Sequence, residues 1–345
     1  MPEHLILLAP SANRVYAADA PRLVGAELQA LAAGFGMTGA AVEPVALAGV
    51  DYLALHTEDA LDDTGRAVVA ALSAAHAVFR REGDLLAPVR LPRLGRYPDD
   101  LVTVQKYQGK TNEQWTRLLL NVTAAATREP GRLLDGGLRV LDPMCGRGTT
   151  LNIALSLGLD ATGVDVDRKD YEAYSAFLKT WMRQHRLKHT VDDAQLTIGG
   201  AKRGRRLQVE VAPTKDDFKA GDVQHLTYLS TDTTDLQGLV RSGSVDVIVT
   251  DTPYGVQHGS HGDRLARRPL DLLDRALPEW TRVLRTGGAM GLSYNRHVAP
   301  RDDLTALLAA HGLSVADEHG AGEDPDAFRH RVDASIDRDL VVARK

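Results

Sequence analysis

Residues 138–150, LRVLDPMCGRGTT, limit what this chain can fold into more than any other stretch. An apolar run ends at Asp142 and Pro143, Gly146 and Gly148 follow, and a helical pattern begins at Thr149. A strand, a glycine turn and a helix in that order open a Rossmann-like α/β sheet. The two glycines permit a sharp turn and let a ligand approach the backbone. About twenty residues further on, DATGVDVD supplies acids where such a sheet places its ribose-binding carboxylate. Asp165 is the first candidate for that role and Asp167 its rival. A dinucleotide fingerprint would need a third glycine, where this chain has Leu151, and it has no use for an acid before the turn.

The second informative stretch is DVIVTDTPYG, residues 246–255. It reads as a buried strand that ends at Asp251 and runs into Thr252, Pro253 and Tyr254. Asp, Pro and Gly are common in any strand-ending turn. Here the turn follows a hydrophobic strand, downstream of a glycine turn of the right kind.

Together the two stretches resemble class I S-adenosylmethionine (SAM)-dependent methyltransferases. DPMCGRGTT is similar to the first motif of the amino-methyltransferases, and DTPY resembles their [DNS]-P-P-[YF] motif. The closest resemblance is to the tRNA guanine-N2-methyltransferase-like group, and it covers residues 106–345. It implies SAM as cofactor, held by Asp142, Pro143, Cys145, Gly146, Gly148 and Thr149 of the turn. Asp165 would take the ribose hydroxyls, and Asp232 the adenine amino group, with Asp222 as runner-up. Lys110 and Thr111 would meet the methionine carboxylate; a linker lysine and a helix cap are the plainer reading of that pair.

The implied chemistry has a physical reason. An exocyclic amine delocalises its lone pair into its ring, so acceptors on its hydrogens are needed to free that pair. Asp251 and the carbonyl of Thr252 would accept, and Tyr254 would stack on the planar target beside Pro253. A nucleic-acid substrate would have its base flipped out of the stack. Thr252 departs from the family's proline and gives up its fixed φ. Cys145 lies inside the cofactor turn, which suits packing rather than attack on a pyrimidine. His258 and His261 have no carboxylate-rich partner in sequence, so no metal is expected.

The rest of the chain fits around this centre. HLILLAP, PRLVGAELQALAAGFG, AVEPVALA, VDYLALHT, ALDDTGRAVVAALSAAHAVFR and DLLAPVRLP read as β-α-β-β-α-β, the ferredoxin-like order. The expected organisation is α/β: a small N-terminal α+β domain (1–95) that places substrate, a linker (96–110), and a seven-stranded Rossmann-like methyltransferase domain (111–345). The net charge of −5 means any nucleic-acid contact must use a local patch. Two basic regions qualify: a hairpin around residues 202–206, and Arg264, Arg267 and Arg268. The hairpin reads equally as a phosphate grip or as a solvated surface element. One cysteine excludes a disulfide framework, and no apolar run is long enough to span a bilayer. With acidic Glu3 ahead of its short apolar run, the N-terminus does not suit a signal peptide, so a cytoplasmic enzyme is expected. The expected activity is N-methylation of a base amine in RNA, with guanine N2 in tRNA leading. The alternatives are DNA adenine N6 or cytosine N4, a small-molecule or peptide amine, and a non-catalytic SAM- and RNA-binding role.

Overall fold

The computed structural model describes residues 2–107, 109–198, 200–252, 269–316, 324 and 326–345. The N-terminal region contains β1 (Glu3–Leu8), α1 (Arg14–Gly34), β2 (Ala41–Leu47), β3 (Val50–His56), α2 (Asp63–Ala71), β4 (Ala75–Glu82) and β5 (Leu85–Pro88). Its antiparallel sheet has the order β2-β3-β1-β4-β5, the ferredoxin-like arrangement with one strand added. α1 starts earlier than its apolar stripe suggests, because Asn13 caps it by accepting from the amides of Val15 and Tyr16.

α2 is shorter than expected. AHAVFR, residues 75–80, which the sequence pattern assigns to that helix, belongs to strand β4. Alanine fits helix and strand patterns alike, and the outcome is set by pairing with β1, where His4 faces Arg80 and Ile6 faces Val78. Between helix and strand, the Ser73 amide is held by the buried Glu27 carboxylate at 3.0 Å.

The connecting segment contains α3 (Asp100–Thr103) and leads into α4 (Glu113–Ala125). It lies against the larger sheet: the Arg96 amide donates to Ser156 O (2.7 Å), Tyr97 Oη to Val211 O (3.0 Å), and Trp181 Nε1 to Asp100 (3.0 Å).

Beyond it come β6 (Arg139–Asp142), α5 (Thr149–Ser156), β7 (Asp160–Asp165), α6 (Arg168–Gln184), β8 (Lys188–Ile198), β9 (Ala201–Ala212), α7 (Lys215–Ala220) and β10 (Gln224–Ser230). The remainder is β11 (Val245–Asp251), α8 (Pro269–Val283), β12 (Leu284–Asn295), α9 (Arg301–Ala310), β13 (Ser314–Val315), β14 (His330–Arg331) and β15 (Asp337–Arg344). The sheet order is β13-β15-β12-β11-β6-β7-β10-β9-β8. The five strands from β12 to β10 are parallel, and β15 is antiparallel between β12 and β13. This is the seven-stranded methyltransferase pattern. The basic hairpin β8–β9 is part of this sheet, because β9 pairs with β10 and extends it by two strands.

α4 is buried nearly all round, as a helix packed between two layers must be. One side meets β12, where a Cβ at Gly291 would fall 1.9 Å from Thr123 Oγ1, so only glycine admits the helix that closely. The other side meets α1. There Asn121 donates to Glu27 (2.6 Å) and to Ala71 O (2.7 Å), and Arg117 donates to Ala71 O (3.1 Å). α1 also touches the end of the chain: Arg22 donates to Ala327 O (2.6 Å), and Asp19 pairs with His330 (2.8 Å).

Candidate active site

β6, β7, β10 and β11 run parallel and end at Asp142, Asp165, Ser230 and Asp251 on one edge of the sheet. Loops leaving the carboxyl ends of such strands form the usual ligand crevice. The glycine turn after β6 is fixed from three sides. The Cys145 amide donates to Val164 O (2.9 Å), the Gly146 amide to Asp165 (2.8 Å), and Tyr228 Oη to Gly146 O (2.7 Å). Gly148 has φ +78°, and a Cβ there would lie 2.3 Å from the Tyr174 ring, so no other residue fits.

Asp142 is buried. It accepts from the Met144 amide (3.1 Å) and Thr250 Oγ1 (2.8 Å), and burial pushes its carboxyl up to about 6. Pro143 is buried beside it, Cys145 is buried with its thiol pushed up by burial, and Thr149 opens α5. A buried thiol with a raised pKa is a poor nucleophile, in keeping with a packing role.

The structure separates the rival acids. Asp165 takes one backbone N–H on each oxygen, from Gly146 and from Asp167 (2.8 Å each), and so stands inside the turn. Asp167 is used to cap α6, accepting from the Lys169 amide (2.7 Å). Asp232 follows β10 at the same edge, exposed, with its carboxylate held by the amide and hydroxyl of Thr234 (2.8 Å each). Asp222 precedes β10 at the opposite edge, in an ion pair with Arg96 (2.8 Å).

A residue the sequence reading missed lies between the candidates: Val166 is 74% exposed, an apolar surface next to Asp165. Its signal was a valine where the strand had already ended. The set fits the cofactor the sequence implies. Asp165 keeps acceptor capacity for hydroxyls after its two backbone bonds, Val166 offers an apolar face for a flat ring, and Gly146 and Gly148 leave the backbone uncovered.

The segment before α4 reaches over this edge. Tyr107 Oη lies 3.2 Å from Thr149 Oγ1, and the Arg147 guanidinium sits 4.9 Å over the Tyr107 ring. Thr111 Oγ1 donates to Asp251 (2.7 Å), joining this segment to the end of β11. Lys110 is placed differently from expectation. Its ammonium is engaged by Glu113 (2.6 Å), Gln105 O (2.8 Å) and Val102 O (2.9 Å), so its three protons tie down the segment itself rather than face the crevice.

After Asp251, the buried Thr252 donates twice to one acceptor: its amide (2.8 Å) and its Oγ1 (2.9 Å) both reach Ser293 O. Ser293 is fixed in turn by Trp115 Nε1, which donates to its hydroxyl at 3.0 Å. Pro253, Tyr254, His258, His261, Arg264, Arg267 and Arg268 lie outside the described residues.

The hairpin arginines face acids: Arg203 pairs with Asp235 (2.7 Å), Arg205 with Asp193 (2.6 Å) and Arg206 with Asp192 (2.8 Å). Partial burial would raise the Asp193 carboxyl, but Lys179 and Arg205 hold it well below the usual range. Most of the hairpin's positive charge is therefore met within the chain, which favours a solvated element over a phosphate grip.

Residues 133–298 match the family described as RMKL-like, methyltransferase domain. No curated protein matches the chain significantly. Solved structures to which it is similar include a 1,6-didemethyltoxoflavin-N1-methyltransferase from Burkholderia thailandensis bound to 1,6-didemethyltoxoflavin and S-adenosylhomocysteine (14% identity, 66% of this chain and 77% of that one, TM-score 0.37). Two others are the N-methyltransferase NodS from Bradyrhizobium japonicum (14%, 67% and 93%, TM-score 0.37) and an rRNA methylase from Streptococcus thermophilus (11%, 65% and 92%, TM-score 0.34).

Proposed function

We propose that this SAM-dependent methyltransferase methylates an exocyclic amine of a base in RNA, with guanine N2 in tRNA as the leading acceptor. One observation carries the reading. Asp251 ends β11 on the same edge as the glycine turn and Asp165, so an acceptor for amine hydrogens stands beside the candidate cofactor crevice.

When bound, SAM supplies an electrophilic methyl group on a sulfonium. The chain's part is to make the amine a nucleophile. Asp251 accepts one amine hydrogen, and the hydrogen bond from Thr111 fixes the orientation of its carboxylate. The carbonyl of Thr252 takes the other hydrogen, on a backbone pinned by the Thr252 amide to Ser293. Tyr254 stacks on the base. Lys110 acts indirectly, by holding the segment that carries Thr111. Residues 1–95 place the substrate, residues 96–110 connect, and residues 111–345 carry the chemistry, in a cytoplasmic setting.

The self-neutralised hairpin favours a second reading, a small-molecule or peptide amine, since it removes one expected grip on phosphates. The test is transfer of label from SAM to total RNA, DNA and small-molecule fractions, followed by nucleoside analysis. Labelled N2-methylguanosine supports the leading acceptor. Label confined to DNA or to small molecules overturns it, and no transfer to any fraction refutes catalysis.

A further inference from the structure

A cavity of about 770 Å³, lined by none of the candidate active-site residues, lies against the helix-covered face of the N-terminal sheet. Its floor is the end of that sheet where His4 of β1 pairs with Arg80 of β4. The start of α2, with Asp63 and Arg66, forms one wall, and the strap 87–94 forms another. Leu134 closes the cavity from the catalytic domain; it stands before β6, whereas Asp142 ends that strand, so the cavity lies toward the edge opposite the glycine turn.

The lining is cationic with an apolar component. Three guanidinium groups, from Arg66, Arg80 and Arg90, meet one lining carboxylate, Asp63. Arg66 is paired with Asp63 and Arg80 with Glu82, but Arg90 is exposed and makes no ion pair among the described residues. His4 is 2% exposed, and its Nδ1 is buried with no hydrogen-bond partner. Burial, with Arg80 beside it, holds the imidazole below its ordinary pKa. A buried polar atom without a partner is uncommon and asks for an explanation. The volume falls in the range that encloses a small organic ligand, roughly 300–1,000 Å³.

We infer that this cavity binds a nucleoside-monophosphate unit, with the phosphate toward Arg90 and Arg80 and the base against Leu91 and Leu134. The inference deepens the RNA reading, which it needs only if the nucleotide belongs to a strand. Such a strand would be held at a point distant from the base being methylated.

The experiment is calorimetric titration of the full chain with 5′-AMP, with inorganic phosphate and with a single-stranded hexaribonucleotide, each also against Arg90→Glu and His4→Gln. Binding of AMP or of the hexanucleotide that weakens tenfold or more in Arg90→Glu, and severalfold in His4→Gln, is the expected result. AMP binding assigns a free nucleotide; binding of the hexanucleotide alone assigns a strand. Arg90 is exposed, so its variant tests the site even if His4→Gln fails to fold. The inference is overturned if neither probe binds, if both variants bind like wild type, or if phosphate binds as tightly as AMP. Label transfer to RNA by Arg90→Glu at saturating RNA keeps the two readings apart: transfer with unchanged RNA affinity removes the cavity and leaves the proposed function standing.

Discussion

Replacing Thr252 by proline restores the residue usual in the resembled motif, and the structure predicts that it harms this protein. Thr252 is 3% exposed and gives two hydrogen bonds to Ser293 O, from its amide at 2.8 Å and its hydroxyl at 2.9 Å. Proline can make neither. Each such bond contributes about 1 kcal/mol net, so Thr252→Pro should cost about 2 kcal/mol and Thr252→Val, which keeps the amide, about 1 kcal/mol. Both bonds fix the backbone that leads from Asp251 to the substrate side, so the loss should also appear in kcat/KM, with SAM affinity preserved. The assays are denaturant unfolding of wild type and both variants, with steady-state kinetics once an acceptor is found. The reasoning predicts wild type above Val above Pro in stability. A proline variant as stable as wild type would refute it, since proline's rigidity would then outweigh both bonds.

Four further outcomes are expected. Asp165→Ala should weaken SAM binding tenfold or more, because hydrogen bonds to a charged group contribute roughly 1.5–3 kcal/mol; unchanged affinity by calorimetry would move the ribose role to Asp167. Asp251→Ala should keep SAM affinity and abolish turnover, while Tyr254→Phe should retain much activity if stacking is its role; full turnover in Asp251→Ala would place methyl transfer elsewhere. Burial pushes the Glu27 carboxyl from 4.5 up to about 7, so its contribution to stability is complete below pH 4.5 and is lost as pH rises through 7; Glu27→Gln should flatten that part of the melting profile, and an unchanged slope would exclude Glu27 as its source. Neutralising Arg203, Arg205 and Arg206 together should change the salt dependence of RNA binding little, because each already faces an aspartate; a clearly flatter salt slope would restore the hairpin as a phosphate grip.

Much of the candidate site's placement was legible because its geometry is local. A strand, two glycines and an acid about twenty residues later fixed Asp142, Gly146, Gly148 and Asp165 on one edge, and a buried strand ending in Asp-Thr-Pro-Tyr placed Asp251 beside them. Features that depend on pairing between distant segments were not legible. β8–β9 read as a hairpin, but nothing local says that β9 pairs with β10. The α2–β4 boundary falls in an alanine-rich run whose pattern serves both structures. Thr111 meets Asp251 across 140 residues, and Lys110 is tied to carbonyls five and eight residues before it, so adjacent residues expected to share one ligand serve different ends. Thr252 read as a lost proline because its two bonds to Ser293 cross between neighbouring strands. Asp232 and Asp222 were separated only by which end of β10 each occupies.

The clasp between α1 and the end of the chain has a kinetic consequence. Arg22 and Ala327 are 305 residues apart in sequence, and Asp19 and His330 are 311 apart. During synthesis the sheet of β1–β5 can form its hairpins early, but α1 cannot complete its contacts until residues 327–330 have been made. Closing so long a loop is slow, and until it closes α1 exposes the surface that residues 327–330 will cover. The contact of α1 with residues 327–330 should therefore form late in folding, and until it forms that part of α1 is open to aggregation.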